Sequence, residues 1–195
     1  MKGYSYEIFD EIFDGLRKTE VTKKNREAVS LDDALAEWAQ RVKKMQDDKG
    51  LIFFCGNGAS CTMGEHMSND WFQNAKVNTT TCSETSHITA ISNDLTYEDV
   101  FSYRIKRILS EKDILITISS SGNSPNIIKA IEAANKNGAY VITFSGKEKD
   151  NKSRMGGNLN FYVPLSTYGL VESAHAVLLH LGLDFFMDRY LGGRH

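Results

Sequence analysis

The chain has 195 residues, of which 41% are hydrophobic and 25% are charged. These values suit one globular domain that can bury its own core. The formal net charge of −2 provides no overall attraction for nucleic acid or for an anionic membrane surface, so neither is expected as a partner.

Cysteine usage and hydropathy predict the compartment. The chain has three cysteines, Cys55, Cys61 and Cys82, and no Cys-x-x-Cys pair. An odd number without such a pair fits free thiols in a reducing cytoplasm better than a disulfide framework. No apolar run is expected to reach the roughly 20 residues of a membrane span. Residues 1–7 lack the apolar core of a signal peptide. We therefore expect a cytoplasmic protein.

Two helices are predicted at the start of the chain, over residues 4–18 and 30–47. Apolar residues recur there at helical spacing, as in Ile8, Ile12 and Leu16. Residues 1–48 are therefore predicted to form an N-terminal helical arm, and residues 49–195 the main domain, with both parts in one structural unit.

After residue 49, short apolar segments alternate with helical patterns. This alternation predicts a parallel sheet with helices on both faces, an α/β fold in which ligands bind at the carboxyl ends of the strands. The predicted strands are residues 51–55, 79–82, 114–118, 140–144 and 158–164. The predicted helices are residues 61–74, 100–109, 126–137 and 169–190.

A serine-rich segment joins the third of these strands to its helix. Ser119, Ser120, Ser121 and Ser124, with Gly122 between them, form what we call the serine turn, residues 119–124. The first turn of a helix has unpaired N–H groups and a partial positive charge. Four serines exceed what one helix cap needs. The segment therefore predicts an anion site, with phosphate favoured, and an ordinary cap is the alternative.

A second turn, residues 56–60, follows the first buried strand and is called the glycine turn here. Its Gly-x-Gly pattern lacks the third glycine of a dinucleotide fingerprint, because Cys61 stands at that position, and no acidic residue ends the next strand. A dinucleotide is therefore not expected. The turn can present Ser60 and backbone N–H groups to a polar ligand, or can simply be a tight strand-to-helix connection.

Four side chains on two predicted helices could transfer protons or hold a metal ion. His66 and Asp70 are four residues apart, so they share a helix face. Glu172 and His180 share a broad face, because eight residues turn about 80° beyond two full turns. Imidazole and carboxylate groups are common zinc ligands. A lone histidine among leucines, such as His180, is more often a core residue.

The chain resembles the sugar isomerase (SIS) domain family, in its phosphoheptose isomerase branch. Four segments carry the resemblance, in this order: the glycine turn, residues 92–94 (Ser-Asn-Asp), the serine turn and the helix from Glu172 to His180. The resemblance implies a flavodoxin-like three-layer αβα sandwich with a five-stranded parallel sheet, preceded by helices that make oligomer contacts. It also implies a homotetramer with active sites between subunits, and a site able to hold one zinc ion per subunit.

The resemblance implies a reaction as well, the interconversion of sedoheptulose 7-phosphate and D-glycero-D-manno-heptose 7-phosphate through an enediol. This reaction serves nucleotide-activated heptose biosynthesis for lipopolysaccharide, capsule or another surface polysaccharide. Asp70 is implied as the general base and His180 as the general acid. The implied substrate-binding residues are Asn57, Ser60, Asn93, Asp94, Ser119, Ser120, Ser121, Ser124 and Glu172. The implied zinc ligands are His66, Asp70, Glu172 and His180.

Four positions depart from the usual pattern of that branch. Asp70 replaces a glutamate, Glu172 a glutamine, Gly169 an acidic residue and Ala59 a glycine. Two other functions therefore remain open. One is a non-catalytic SIS-domain protein that binds a sugar phosphate or acts as an adaptor, of the type that associates with a replication initiator. The other is an isomerase for a different phosphosugar, such as a hexulose or arabinose phosphate.

Overall fold

A seven-stranded sheet forms the centre of the protein, for which a computed structural model describes residues 3–193. The strands are β1 (Glu20–Lys23), β2 (Ala28–Val29), β3 (Ile52–Gly56), β4 (Thr79–Thr80), β5 (Ile114–Ser119), β6 (Tyr140–Gly146) and β7 (Leu159–Val163). Their order in the sheet is β2-β1-β7-β6-β5-β3-β4. The five strands β3 to β7 are parallel, and β1 and β2 run antiparallel to their neighbours.

Helices cover both faces of this sheet. Those in the described part of the chain are α1 (Tyr4–Arg17), α2 (Leu31–Asp47), α3 (Ala59–Gln73), α4 (Thr85–Asp94), α5 (Ser102–Ile108), α6 (Pro125–Lys136) and α7 (Tyr168–Tyr190), with 3-10 turns at Tyr97–Asp99 and Ser153–Met155. One face packs against α1, α2, α3 and α7, and the other against α4, α5 and α6. The predicted αβα sandwich with five parallel strands is confirmed, and two strands are added at one edge.

The added strands lie within the predicted helical arm. β1 pairs with β7, so residues 20–23 extend the sheet of the main domain. Val21 is buried, and Glu20 accepts hydrogen bonds from Lys149 and Arg154 at 2.9 and 2.5 Å. Strands of four and two residues are too short to give a period-two pattern, which explains why the sequence did not predict them. The domain boundary at residue 48 stays a prediction.

Other differences concern element ends. The strand predicted over residues 79–82 is limited to the two residues of β4, and residues 88–94, for which no element was predicted, belong to α4. The helix predicted over residues 100–109 is the shorter α5, and a 3-10 turn precedes it. β4 lies at the edge of the sheet, and most residues of α4 are at least partly exposed, so apolar burial imposes little pattern on these two segments.

Helix α7 is long and apolar enough, by length and composition alone, to cross a membrane. The sequence did not predict this, because His175, His180 and Asp184 interrupt its apolar run. Of its most apolar window, 56% is buried inside the protein. Its apolar character is therefore accounted for by packing against the sheet, α2 and α3.

Candidate active site

The carboxyl ends of β3 and β5 open into a cavity of about 230 Å³. Ligands of parallel sheets bind at this edge, where strands lead into helices. The glycine turn and the serine turn meet here, because β3 and β5 are neighbours in the sheet. The cavity is lined by Asn57, Ser60, Ile118, Ser119, Ser120, Ser121, Ser124, Tyr168 and Glu172.

The serine turn has a backbone that requires its glycine. Gly122 has a φ of 64°, and a Cβ at this position would overlap the buried side chain of Asn151. Ser124 occupies the N-cap position of α6, yet its side chain makes no capping hydrogen bond. An ordinary cap would use that hydroxyl group. The geometry therefore favours an anion site over a simple helix cap.

The glycine turn brings the end of β3 close to the start of α3. A Cβ on Gly56 would overlap the backbone of Ser60. Asn57, next in the chain, forms reciprocal side-chain hydrogen bonds of 2.9 and 2.8 Å with Asn126 at the start of α6. Its Oδ1 also accepts a hydrogen bond of 3.0 Å from the Tyr97 hydroxyl. Side chains thus join the glycine turn to the first turn of α6, which follows the serine turn.

Seven of the nine predicted substrate-binding residues line this cavity. The other two, Asn93 and Asp94, are exposed at the end of α4, where the Asn93 amide donates to Asp94 Oδ1 at 2.9 Å. Their roles stay predictions. Sequence reasoning missed Tyr97, in a 3-10 turn, and Tyr168, the first residue of α7, because a single tyrosine at such a position belongs to no recognisable pattern. Proximity of Tyr97 to the Asn-Asp pair was the only available signal.

Three of the predicted metal ligands come together between α3 and α7, and we call them the His–Asp cluster. His66 Nε2 lies 3.2 Å from His180 Nε2 and 3.3 Å from Asp70 Oδ2. His180 Nε2 lies 3.9 Å from the same oxygen. His180 Nδ1 lies 2.8 Å from the carbonyl oxygen of Ala176 and donates to it. This hydrogen bond leaves Nε2 with the lone pair that a metal ion or a proton would take.

The spacing within the His–Asp cluster fits a divalent metal ion. Ligand atoms around a tetrahedral zinc ion are about 3.3 Å apart, and the three ligand atoms here lie within 4.8 Å of one another. Glu172 lines the cavity instead and is about 12 Å from His180 along the helix axis. Its role as a fourth ligand stays a prediction.

The cavity and the His–Asp cluster lie along the same pair of helices. Ser60 at the cavity and His66 in the cluster are separated by about 9 Å of helical rise on α3. Glu172 and His180 are separated similarly on α7. Both helices begin at the carboxyl edge of the sheet. A ligand bound at the serine turn could therefore extend toward the cluster, about two helical turns away.

The His–Asp cluster is open to solvent in a single chain. The His66 and His180 side chains are 55% and 44% exposed. Phe72 on α3, and Val177 and Leu181 on α7, are exposed close to them in the chain. Of these three side chains, Val177 and Leu181 lie within three residues of His180 on α7.

Burial shifts the pKa values of three other side chains near these elements toward the neutral form. Burial raises the pKa of the Cys61 thiol, and it raises the pKa of Cys82 to about 12. Burial lowers the pKa of His175 on α7 to about 4, while its Nε2 lies 3.1 Å from the backbone oxygen of Ser145. These side chains belong to the packing of the protein and offer no catalytic charge at neutral pH.

Fold and site together define the class, an αβα domain with a serine-lined cavity at the carboxyl ends of its parallel strands. A model of the SIS domain matches residues 19–146. The phosphoheptose isomerase of Proteus mirabilis (strain HI4320) is 33% identical over 162 residues, which cover 77% of this chain and 83% of that protein. The phosphoheptose isomerase of Helicobacter pylori (strain P12) is 29% identical over 175 residues, covering 87% and 90%.

A solved structure agrees in fold. The phosphoheptose isomerase of Neisseria gonorrhoeae superposes with a TM-score of 0.79 at 24% identity, covering 93% of this chain and 97% of that one. The chain belongs to the SIS domain family and, within it, to the phosphoheptose isomerase branch.

Proposed function

We propose that the protein is a phosphoheptose isomerase, which interconverts sedoheptulose 7-phosphate and D-glycero-D-manno-heptose 7-phosphate through an enediol. The observation that carries this proposal is the placement of a serine-rich anion site and a carboxylate–imidazole cluster along the same two helices. The curated relatives of that name support the choice of substrate.

The phosphate group binds at the serine turn. The hydroxyl groups of Ser119, Ser120, Ser121 and Ser124 supply hydrogen-bond donors for an anion, and the start of α6 adds its partial positive charge. Asn57 and Ser60 approach from the glycine turn. The sugar then extends along α3 and α7 toward the His–Asp cluster, and the two turns of helix between the sites favour a long sugar over a short one.

Two side chains of the His–Asp cluster, Asp70 and His180, transfer the protons. Asp70 removes a proton from C1, and His180 gives a proton to the carbonyl oxygen at C2, which forms the enediol. Return of a proton to C2 and loss of one from the C1 hydroxyl give the aldose. Both histidine contacts of Asp70 use Oδ2, so Oδ1 is the oxygen placed to take the proton.

The His–Asp cluster also has the donor set for one zinc ion. His66, Asp70 and His180 would hold it, with Glu172 as the predicted fourth ligand. A bound zinc ion would supply Lewis-acid polarisation of the substrate carbonyl. In that arrangement Asp70 would hold the ion through Oδ2 and His180 through Nε2, so polarisation of the carbonyl by the ion would replace the proton that His180 donates without it.

The assembly we propose is a homotetramer with active sites between subunits. Exposed Val177 and Leu181, which lie beside His180 on α7, support a subunit contact that would exclude water from the His–Asp cluster. Phe9 and Phe13 support a second contact, because both are exposed beside the face of α1 that packs on the core.

The product would enter nucleotide-activated heptose biosynthesis for a surface polysaccharide, either lipopolysaccharide or capsule. The compartment we propose is the cytoplasm. Three free cysteines, of which Cys55 and Cys82 are buried, support a reducing environment.

The identity of Asp70 supports a second candidate function, the binding of sugar phosphates without catalysis. Its carboxylate is one methylene shorter than the glutamate usual in this branch, and a misplacement of about 1 Å can cost about 100-fold in rate. A protein with the same cavity and a base out of reach would bind sugar phosphates without converting them, as a sensor or an adaptor.

The deciding experiment measures turnover of ketose phosphates with five, six and seven carbons by NMR, and binding of the same compounds by calorimetry. We expect the seven-carbon substrate to react fastest. Faster reaction of a shorter sugar would assign a different phosphosugar. Binding without turnover of any of the three would replace the isomerase with the sensor or adaptor.

A further inference from the structure

The side-chain amide of Asn57 has nearly all of its hydrogen bonds satisfied within the protein. Its Oδ1 accepts from Asn126 Nδ2 at 2.8 Å and from the Tyr97 hydroxyl at 3.0 Å. Its Nδ2 donates to Asn126 Oδ1 at 2.9 Å. A primary amide has two acceptor lone pairs and two N–H groups. One N–H group of Asn57 is therefore the only part of the amide left for a ligand.

The two partners hold this amide from different directions. Asn126 is 2% exposed, at the second residue of α6, directly after the serine turn. Tyr97 lies in the 3-10 turn that follows α4, and its ring is exposed. Asn57 itself lines the cavity. Two elements thus fix one amide at the point where the glycine turn faces the serine turn.

We propose that Asn126, assisted by Tyr97, is a positioning residue that fixes Asn57 as a hydrogen-bond donor to an oxygen atom of the bound sugar phosphate. This proposal rests on the proposed function, which places the sugar phosphate in this cavity. A donor suits the site, since phosphate oxygens only accept hydrogen bonds at neutral pH. The opposite amide orientation would turn Oδ1 toward the anion and repel it.

A double-mutant cycle tests whether Asn126 acts through Asn57. Asn126→Ala frees the Asn57 amide to rotate, so affinity for the sugar phosphate and for inorganic phosphate should fall about tenfold. The value of kcat should change little, because Asp70 and His180 lie elsewhere. The double variant Asn57→Ala/Asn126→Ala should bind no more weakly than Asn57→Ala alone. Tyr97→Phe, which removes one of the two bonds to Oδ1, should give a smaller loss.

The matched control is Asn135→Ala on the same helix. Asn135 Nδ2 donates to the carbonyl oxygens of Ile131 and Gly156 at 3.0 and 2.9 Å, away from the cavity. We expect this variant to lose thermal stability and to keep wild-type phosphate affinity. Additive losses in the Asn57/Asn126 cycle, or an Asn126→Ala variant with wild-type affinity, would overturn the proposal.

A second measurement separates this proposal from the proposed function. In ¹⁵N NMR spectra, titration with inorganic phosphate should shift the Asn57 side-chain amide, and Asn126→Ala should speed the hydrogen exchange of that amide. Phosphate binding with both effects but without isomerase activity would refute the proposed function and leave the positioning role standing. An Asn57 amide that does not respond to phosphate, or to loss of Asn126, would refute the positioning role.

Discussion

Removal of the proton from C1 is assigned to one carboxylate, that of Asp70. Asp70→Asn keeps the size of the side chain but removes its basicity, so we expect turnover to fall by at least about 100-fold. Affinity for the sugar phosphate should persist, because the serine turn is unchanged. NMR turnover and calorimetry on the same preparation measure the two effects.

The control for this substitution is Glu65→Gln, which makes the same charge change at an exposed position of α3 outside the His–Asp cluster. It should turn over like the wild type. Wild-type activity in Asp70→Asn would show that another group is the base.

Buried His175 should make folding stability depend on pH. Burial lowers its pKa to about 4 from an ordinary value near 6.5, so between these values the unfolded chain binds a proton that the folded chain excludes. This contribution to stability is complete above pH 6.5 and is lost as pH falls toward 4, by roughly 3 kcal/mol.

The variant His175→Gln should flatten this dependence. Glutamine keeps an N–H donor for the backbone oxygen of Ser145, but it cannot titrate. Chemical denaturation of both proteins at several pH values between 4 and 7 measures the difference. An identical slope in the two proteins would mean that the pKa of His175 is the same in the folded and the unfolded chain.

The residues of the site differ in how well the sequence predicts them. Ser119 to Ser124 could be predicted because strand, turn and helix signals coincide within a few residues. His66 and Asp70 could be predicted as a pair, because they are four residues apart on one helix. That His180 lies beside them was implied only by the family resemblance. Asn126 and Tyr97 could not be predicted as partners of Asn57, because their contacts span 69 and 40 residues along the chain.

At the scale of elements, α7 determines how the two halves of the site are held. It packs against α2 where Gly182 faces Trp38, and a Cβ on Gly182 would overlap the Trp38 ring. That ring cannot move aside, because Trp71, Phe144 and Phe161 enclose it at 5.7 to 5.9 Å between centroids. Gly182→Ala should therefore lower the unfolding free energy by about 1–3 kcal/mol, despite the better helix propensity of alanine.

Gly169→Ala is the matched substitution in the same helix. A Cβ there would have no neighbour within 4 Å, so stability should be equal to wild type or higher. Thermal denaturation of the two variants measures the contrast. Equal melting temperatures would show that α7 can shift away from α2 and that its position is not fixed by this contact.

The elements themselves were predictable where burial imposes a pattern. β3 and β5 are buried along their whole length, so they appear in the sequence as short apolar runs between helical segments. The β1–β2 hairpin carries no such signal, because only Val21 is buried in it. Pairing with β7 stabilises it, and that contact is invisible before the sheet is assembled.

At the scale of the whole molecule, α1 leaves an aromatic surface without a partner in a single chain. Phe9 and Phe13 are 53% and 59% exposed, four residues apart. Phe9→Glu/Phe13→Glu should weaken the proposed tetramer, because it places charge where apolar side chains would be buried. Light scattering after size-exclusion chromatography measures the mass in solution.

The control Glu11→Lys changes an exposed residue on another side of the same helix and should leave the mass unchanged. If the wild type is a monomer at micromolar concentration, or if the double variant assembles normally, α1 is not a subunit contact.

The central claim is that this chain moves a proton between C1 and C2 of a seven-carbon sugar phosphate. The most direct test is an NMR assay of sedoheptulose 7-phosphate in D₂O, run with added zinc and with a chelator. The account predicts that the aldose heptose 7-phosphate forms with deuterium at C2, and that the chelator slows its formation. A folded protein that binds the sugar phosphate but gives neither product nor deuterium exchange would contradict it.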